Sequence, residues 1–178
     1  LALQADFDSL TGIYNRNGGE KLISKLMSKG HHFALALIDL NGFKAVNDIY
    51  GHDAGDEVLI FVSEQLRDKI RKNDMAIRWG GDEFVLLLQA EDKKSVKTAI
   101  SKVNDAIKKP FYFNNETTPT VITMSVGVAF YPRMSQDINT LIKLADIAMY
   151  KAKQNKIAAP DDYLIVAQPH SQEKGDRA

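Results

Sequence analysis

Apolar positions along the chain recur at two periods, and their order predicts helices alternating with strands. Leu22, Ile23, Leu26 and Met27 fall at helical spacing, predicting a helix from Gly18 to Lys29 that Gly30 closes. The run from Phe33 to Leu40 is nearly unbroken in apolar residues, the pattern of a buried central strand, and it carries one acid, Asp39, near its end. Asn41-Gly42 predicts a turn, and Phe43 to Tyr50 a short helix. From Glu57 to Lys72 the residues Val58, Leu59, Phe61, Val62, Leu66 and Ile70 share one side of an amphipathic helix. Met75 to Trp79 and Phe84 to Gln89 read as two strands joined by Gly80-Gly81-Asp82-Glu83. Glycine tolerates positive φ, so a tight hairpin is expected there. Lys94 to Lys108 predicts a helix ended by Pro110; Phe111 to Phe113 and Thr120 to Phe130 read as strands; Thr140 to Lys153 reads as the last helix. Past Ile157 the signal fades into prolines and charges, with room for a short strand at Tyr163 to Val166. The expected class is therefore α+β, one mainly antiparallel sheet flanked by helices, with one domain over residues 1–158 and a tail over 159–178.

Composition changes this picture little and narrows function more. At 178 residues with 44% apolar and 26% charged side chains, the chain has the balance of a soluble globular domain. Lys plus Arg and Asp plus Glu both number 23, so no gross positive charge drives nucleic-acid binding. Cysteine is absent, which removes disulfides and thiolate-bound zinc. No run approaches the roughly 18 apolar residues of a membrane span. A cytoplasmic domain without membrane contact of its own is expected. The chain opens on Leu1 and reads as a piece of a longer protein, whose sensory or anchoring segment would lie outside it.

The candidate chemistry is carboxylate chemistry. Asp39 ends a buried strand, and Asp82 and Glu83 cap the hairpin turn. Each has an ordinary explanation: a helix cap or turn for Asp39, a solubilised edge for the other two. If the central strand lies beside the hairpin, the acids converge, and like charges held close call for a cation. Oxygen ligands without Cys or clustered His favour Mg²⁺ or Mn²⁺. Asp39-Leu40-Asn41 starts like a calcium loop, but Phe43 stands at the next ligand position and excludes it. His31, His32 and His170 have no common site in the pattern, and Trp79 reads as a packing residue.

These residues carry a resemblance. Gly80-Gly81-Asp82-Glu83-Phe84 is the signature string of the GGDEF family, the diguanylate cyclases. Asp8-Ser9-Leu10-Thr11-Gly12-Ile13-Tyr14-Asn15-Arg16 resembles the family's opening motif. The segments Asp39 to Lys44 and Asn47 to Asp56 resemble its metal and guanine segments. Ser125 to Ala129 and Ala145 to Lys153 resemble its closing strand and helix, so the likeness spans Asp6 to Lys153.

The resemblance implies a fold related to the palm of nucleic-acid polymerases and class III nucleotidyl cyclases. It implies condensation of two GTP into cyclic di-3′,5′-GMP with release of two pyrophosphates. Asp39, the carbonyl of Leu40, and Asp82 are implied to hold two Mg²⁺ (or Mn²⁺). Asp82 is the implied proton acceptor for the 3′-hydroxyl, and Glu83 is implied either to assist the second metal or to orient the site. Asn47, His52 and Asp56 are implied on the guanine side, Gly42, Phe43, Lys44 and Lys153 on the phosphates. An Asp accepts from N1–H and N2–H₂ of guanine, an Asn donates to a purine acceptor, and main-chain N–H groups at a helix start suit phosphate. For Asn47 alone a helix cap, and for Lys44 a solvated helix lysine, would serve as well. Arg71 and Asp74 stand at the family's RxxD inhibitory site, implying cyclic di-GMP as inhibitor as well as product. One domain holds one GTP, so turnover is expected to need a homodimer. One departure follows Lys153, where Gln154-Asn155-Lys156 replaces the family's usual Gly, basic residue and Asn. Two alternatives stay open: a silent module that binds cyclic di-GMP through Arg71 and Asp74, and a cyclase with relaxed purine choice.

Overall fold

The computed structural model describes residues 4–155 and 162–169. Five helices and five strands follow one another: α1 (Arg16–Ser28), β1 (Phe33–Asn41), α2 (Phe43–Tyr50), α3 (His52–Lys69), β2 (Met75–Arg78), β3 (Glu83–Leu88), α4 (Lys93–Ile107), β4 (Thr123–Tyr131), α5 (Ile138–Gln154) and β5 (Leu164–Val166). The strands form one sheet in the order β2-β3-β1-β4-β5. Every pairing is antiparallel except that of β4 with β5. This is the α+β arrangement expected from the sequence, with the most apolar strand at its centre.

Alternation along β1 assigns the two layers. Ala34, Ala36, Ile38 and Leu40 join the core beneath α3 and α4, with Val58, Val62, Leu66, Val96, Ile100 and Val103. Phe33, Leu35 and Leu37 join a second core beneath α1 and α5, with Ile23, Leu141, Leu144, Ala145 and Ala148. Both faces of β1 are therefore dry, which is why its sequence is continuous in apolar residues.

Helix starts follow their caps. The side chains of Asn15, Asp92 and Asp137 accept hydrogen bonds from the N–H groups of Gly18, Ser95 and Thr140. These caps start α1, α4 and α5 one or two residues before the apolar periodicity does. The larger difference is α3, which begins at His52 rather than Glu57. Gly51, at φ 89°, ends α2 and turns the chain directly into α3. Gly55 then lies inside α3 because a Cβ there would come 1.8 Å from Asn47 Oδ1. Phe111 to Phe113 is not a strand; only Phe111 bridges Thr120, and the aromatic rings pack on Phe61 and on each other. β4 begins at Thr123 rather than Thr120.

Ser63 lies fully buried on α3 and its hydroxyl finds no hydrogen-bond partner among the described residues. A buried hydroxyl without a partner costs about 1–3 kcal/mol. Ser63→Ala is therefore expected to leave stability unchanged or raise it by ~1 kcal/mol, read as the midpoint of urea unfolding.

Candidate active site

The site grows from the end of β1. Asp39 continues the odd-numbered face of Phe33, Leu35 and Leu37, so it points to the α1 and α5 side. Its cross-strand neighbours there are Glu83 on β3 and Ser125 on β4. Asp39 is only 6% exposed. Its Oδ2 forms an ion pair with Lys153 Nζ, reaching in from the last turn of α5, whereas Oδ1 is buried with no hydrogen-bond partner among the described residues. Two positions on, Asn41 donates to Thr123 Oγ1 (3.2 Å) and Ser125 Oγ (3.0 Å), tying the strand ends together.

The hairpin turn is clamped onto this strand end. Trp79 and Gly80 both donate their N–H to Glu83 O, at 2.8 and 3.2 Å. Leu40 N–H donates to Asp82 O at 3.2 Å, extending the β1–β3 ladder past Asp39 and bringing Asp82 beside it. The guanidinium of Arg78 donates through Nε and Nη2 to Gly81 O (3.2 and 3.0 Å) and through Nη1 to both oxygens of Asp8 (3.2 and 3.1 Å). The glycines do not serve as the sequence suggested, because neither Gly80 nor Gly81 takes a positive φ. A Cβ at Gly80 would meet only ordinary contacts, 3.4 Å from Glu83 Oε2, so the local packing would accept a side chain there.

Glu83 shares the face of Asp39, yet its carboxyl also feels Asp146 on α5. Burial, then the charges of Asp146 and Asp82, push its pKa up, against the opposing charge of Arg16. Arg16 in turn lies over the Trp79 ring, 4.5 Å from its centroid. Asp8 behaves oppositely. Burial works to raise its pKa, but hydrogen bonds from Thr11 and the guanidinium of Arg78 outweigh it and hold the carboxyl below its ordinary 3.8. A depressed native pKa gives stability that is present above 3.8 and lost as pH falls through the lower native value. Asp8→Asn is therefore expected to destabilise the protein at neutral pH, with the gap from wild type narrowing below pH 3.8 in denaturant titrations at each pH.

An open cleft of about 650 Å³ lies in front of the acids, lined by Leu40, Asn41, Gly42, Lys44, Ala45, Asp48, Asp82 and Lys153. Gly42, at φ 87°, starts α2 against it and allows the chain to turn sharply after β1. The cleft thus gathers Leu40, Gly42, Lys44, Asp82 and Lys153, with Asp39 beneath the lysine. Other expected site residues lie apart from its lining. Phe43 packs against the α3–α4 core. Asn47 faces Gly55, and its Oδ1 is buried without a hydrogen-bond partner among the described residues. His52 opens α3, exposed, and Asp56 lines a separate open hollow with Asp53 and Glu57.

The RxxD pair occupies the opposite end of β3. Asp74 is buried, and its oxygens accept from the main-chain N–H groups of Arg71 (3.0 Å) and Gln89 (2.8 Å). Both carboxylate oxygens thus lock the α3–β2 turn, a structural use that the sequence pattern did not anticipate. Arg71 borders two cavities, of about 240 and 280 Å³. The first also carries Lys69, Lys94 and Lys102. Arg78, on β2, is engaged by Asp8 in an ion pair of 3.1 Å. Roles in the strand-end network for Thr123 and Ser125, and proximity of Asp146 and Arg16 to Glu83, were missed. The signal for Ser125 was its polarity in an otherwise apolar strand. Lys156, part of the altered stretch after Lys153, lies outside the described residues.

A hard divalent cation suits these donors. Asp39 Oδ1 is a buried carboxylate oxygen with no hydrogen-bond partner among the described residues, and the main chain of Asp82 is bonded to the next residue of the strand, Leu40. Among the described residues no three His, Cys, Asp or Glu side chains form a metal-binding group. Oxygen donors of this kind, without Cys or His, suit Mg²⁺.

Comparison with known proteins identifies the family and the fold. The family model described as "Diguanylate cyclase, GGDEF domain" matches residues 5–158. The bifunctional diguanylate cyclase/cyclic di-GMP phosphodiesterase MucR of Pseudomonas aeruginosa is 39% identical over 150 residues, 82% of this chain and 22% of that protein. The probable diguanylate cyclase DgcC of Escherichia coli is 34% identical, over 86% of this chain and 42% of its own. The chain thus spans less than half of either relative. Among solved structures, the GGDEF domain of TpbB (YfiN) from Pseudomonas aeruginosa superposes with a TM-score of 0.79 at 28% identity, covering 91% of this chain and 94% of that one. The coiled coil and GGDEF domain of Caulobacter crescentus DgcB, solved with c-di-GMP, shares the fold (TM-score 0.78, 24% identity, 92% and 86% covered). With a family model covering most of its length, and its signature string intact at Gly80 to Phe84, this chain belongs to the GGDEF diguanylate cyclase family.

Proposed function

We propose that the chain is a diguanylate cyclase domain that condenses two GTP into cyclic di-3′,5′-GMP across a homodimer. The supporting observation is the main-chain bond from Leu40 N–H to Asp82 O, which sets the hairpin turn against the end of β1 at a cleft lined by Asp82, Lys44, Lys153 and the start of α2, with Asp39 paired to that lysine. In this reading Asp39, the Leu40 carbonyl and Asp82 hold two Mg²⁺ (or Mn²⁺). When bound, these cations neutralise phosphate charge and acidify the attacking 3′-hydroxyl. Asp82 receives that proton, and Glu83, partly buried and near both Asp82 and Asp146, orients the turn. The main-chain N–H groups of Gly42, Phe43 and Lys44 and the ammonium of Lys153 bind the triphosphate. Asn47 reads guanine by donating from its amide N–H₂, together with Asp56 and His52 from the flanking segment.

The product is two-fold symmetric, so each domain supplies one nucleotide whose 3′-hydroxyl attacks the α-phosphate of the other. Feedback by product is assigned to Arg71, whose guanidinium suits a guanine edge or phosphate, within the basic cavity of Lys69, Lys94 and Lys102. Asp74 serves that site by holding its turn. The domain works in the cytoplasm, where GTP is available, and no helix among the described residues is long and apolar enough to cross a membrane.

The test is incubation of a dimerised sample with GTP and Mg²⁺ and chromatographic identification of cyclic di-GMP. A dimeric sample that binds GTP but yields no product would favour a receptor acting through Arg71. Equal turnover of ATP would favour relaxed purine choice.

A further inference from the structure

Lys153 is the one cleft residue already engaged with a carboxylate of the proposed cation site, and that contact has a consequence. Its ammonium pairs with Asp39 Oδ2, on a strand end fixed by hydrogen bonds on both sides. The two partners differ in freedom. The Asp39 side chain is 9% exposed and anchored in the central strand, whereas the Lys153 side chain is 36% exposed on a flexible four-carbon stem. Only the lysine can move away. The same lysine lines the cleft with Gly42 and Lys44, where a triphosphate would offer its ammonium a stronger, multiply charged partner.

A divalent cation and an ammonium drawn to one small, poorly solvated carboxylate repel each other, and little water is present to screen them. We propose that Lys153 is an exchangeable counter-ion: it neutralises Asp39 until a triphosphate draws it off, making cation binding conditional on nucleotide. The inference rests on the cation and triphosphate reading of this cleft. It adds a second task to Lys153, suppression of nucleotide-free metal binding, which a phosphate-binding lysine alone would not perform.

Calorimetric titration of the 178-residue chain with Mn²⁺ alone, and with Mn²⁺ plus 3′-deoxy-GTP, separates the possibilities. Lys153→Met is expected to bind Mn²⁺ alone about tenfold more tightly than wild type, and to bind Mn²⁺ with the nucleotide more weakly. Lys153→Arg keeps the positive charge and is expected to stay near wild type with Mn²⁺ alone. Melting temperatures supply a second readout: Lys153→Met should melt lower than wild type without metal and gain more from Mn²⁺. Equal Mn²⁺ affinity and equal gain in wild type and Lys153→Met would overturn the proposal, as would an absence of Mn²⁺ binding in both. The underlying reading fails separately, and only if Asp39→Asn leaves the binding of Mn²⁺ with 3′-deoxy-GTP unchanged.

Discussion

Asp82→Ala is expected to cut cyclic di-GMP formation by at least about 10³-fold, ~4 kcal/mol of transition-state stabilisation, while the protein stays folded. Two functions would be lost together, a cation ligand and the acceptor of the 3′-hydroxyl proton. The fold should survive because the structural bond of this residue is made by its main chain: Asp82 O accepts from Leu40 N–H, and alanine retains that carbonyl. Circular dichroism and melting temperature close to wild type, with product formation lost, is the expected pair of results. Substantial turnover by Asp82→Ala would move the proton acceptor elsewhere.

Gly127→Ala carries the largest expected effect on stability. Gly127 sits in β4 directly beneath α5, and a Cβ there would lie 1.9 Å from Ala145 O and 2.4 Å from Met149 N. Both are backbone atoms of a helix packed on the sheet, so no side-chain rotation relieves the clash. The helix must lift, parting Leu141, Leu144, Ala145 and Ala148 from the core under α5. Overpacking of this kind costs about 3 kcal/mol or more, lowering the melting temperature by roughly 6–12 °C in a chain of this size. Activity should fall as well, since α5 carries Lys153 to Asp39. Gly81→Ala is the control for stability, because nothing lies within 4 Å of its added Cβ.

Most of the architecture was legible because each element follows from a local rule. The unbroken apolar run of β1 indicated a strand buried on both faces, and its acid indicated where that strand meets a site. The ends of elements were less legible where tertiary contacts decide them. α3 starts at His52 because Gly51, at φ 89°, turns the chain straight out of α2, and Gly55 lies inside it because Asn47 fills the space beside it, a pairing across a turn that one-dimensional periodicity does not register. Phe111 to Phe113 has strand composition, yet its rings serve aromatic packing on Phe61, and only one bridge forms. For the candidate site, the string Gly80 to Phe84 pointed to the right turn for a partly wrong reason. Neither of its glycines takes a left-handed backbone, and neither sits where an added Cβ would clash. The locking of Asp74 by two main-chain amides and the pairing of Lys153 with Asp39 are three-dimensional facts with no linear signature.

The central claim is that Asp39 and Asp82 share divalent cations at the cleft that receives the triphosphate. Crystals of the protein grown with Mn²⁺ and 3′-deoxy-GTP, with anomalous data collected at the manganese edge, examine it most directly. Anomalous peaks bridging Asp39, Asp82 and the triphosphate, with Lys153 turned onto phosphate, are the expected outcome. A nucleotide bound elsewhere, or manganese that contacts neither carboxylate, would contradict the account.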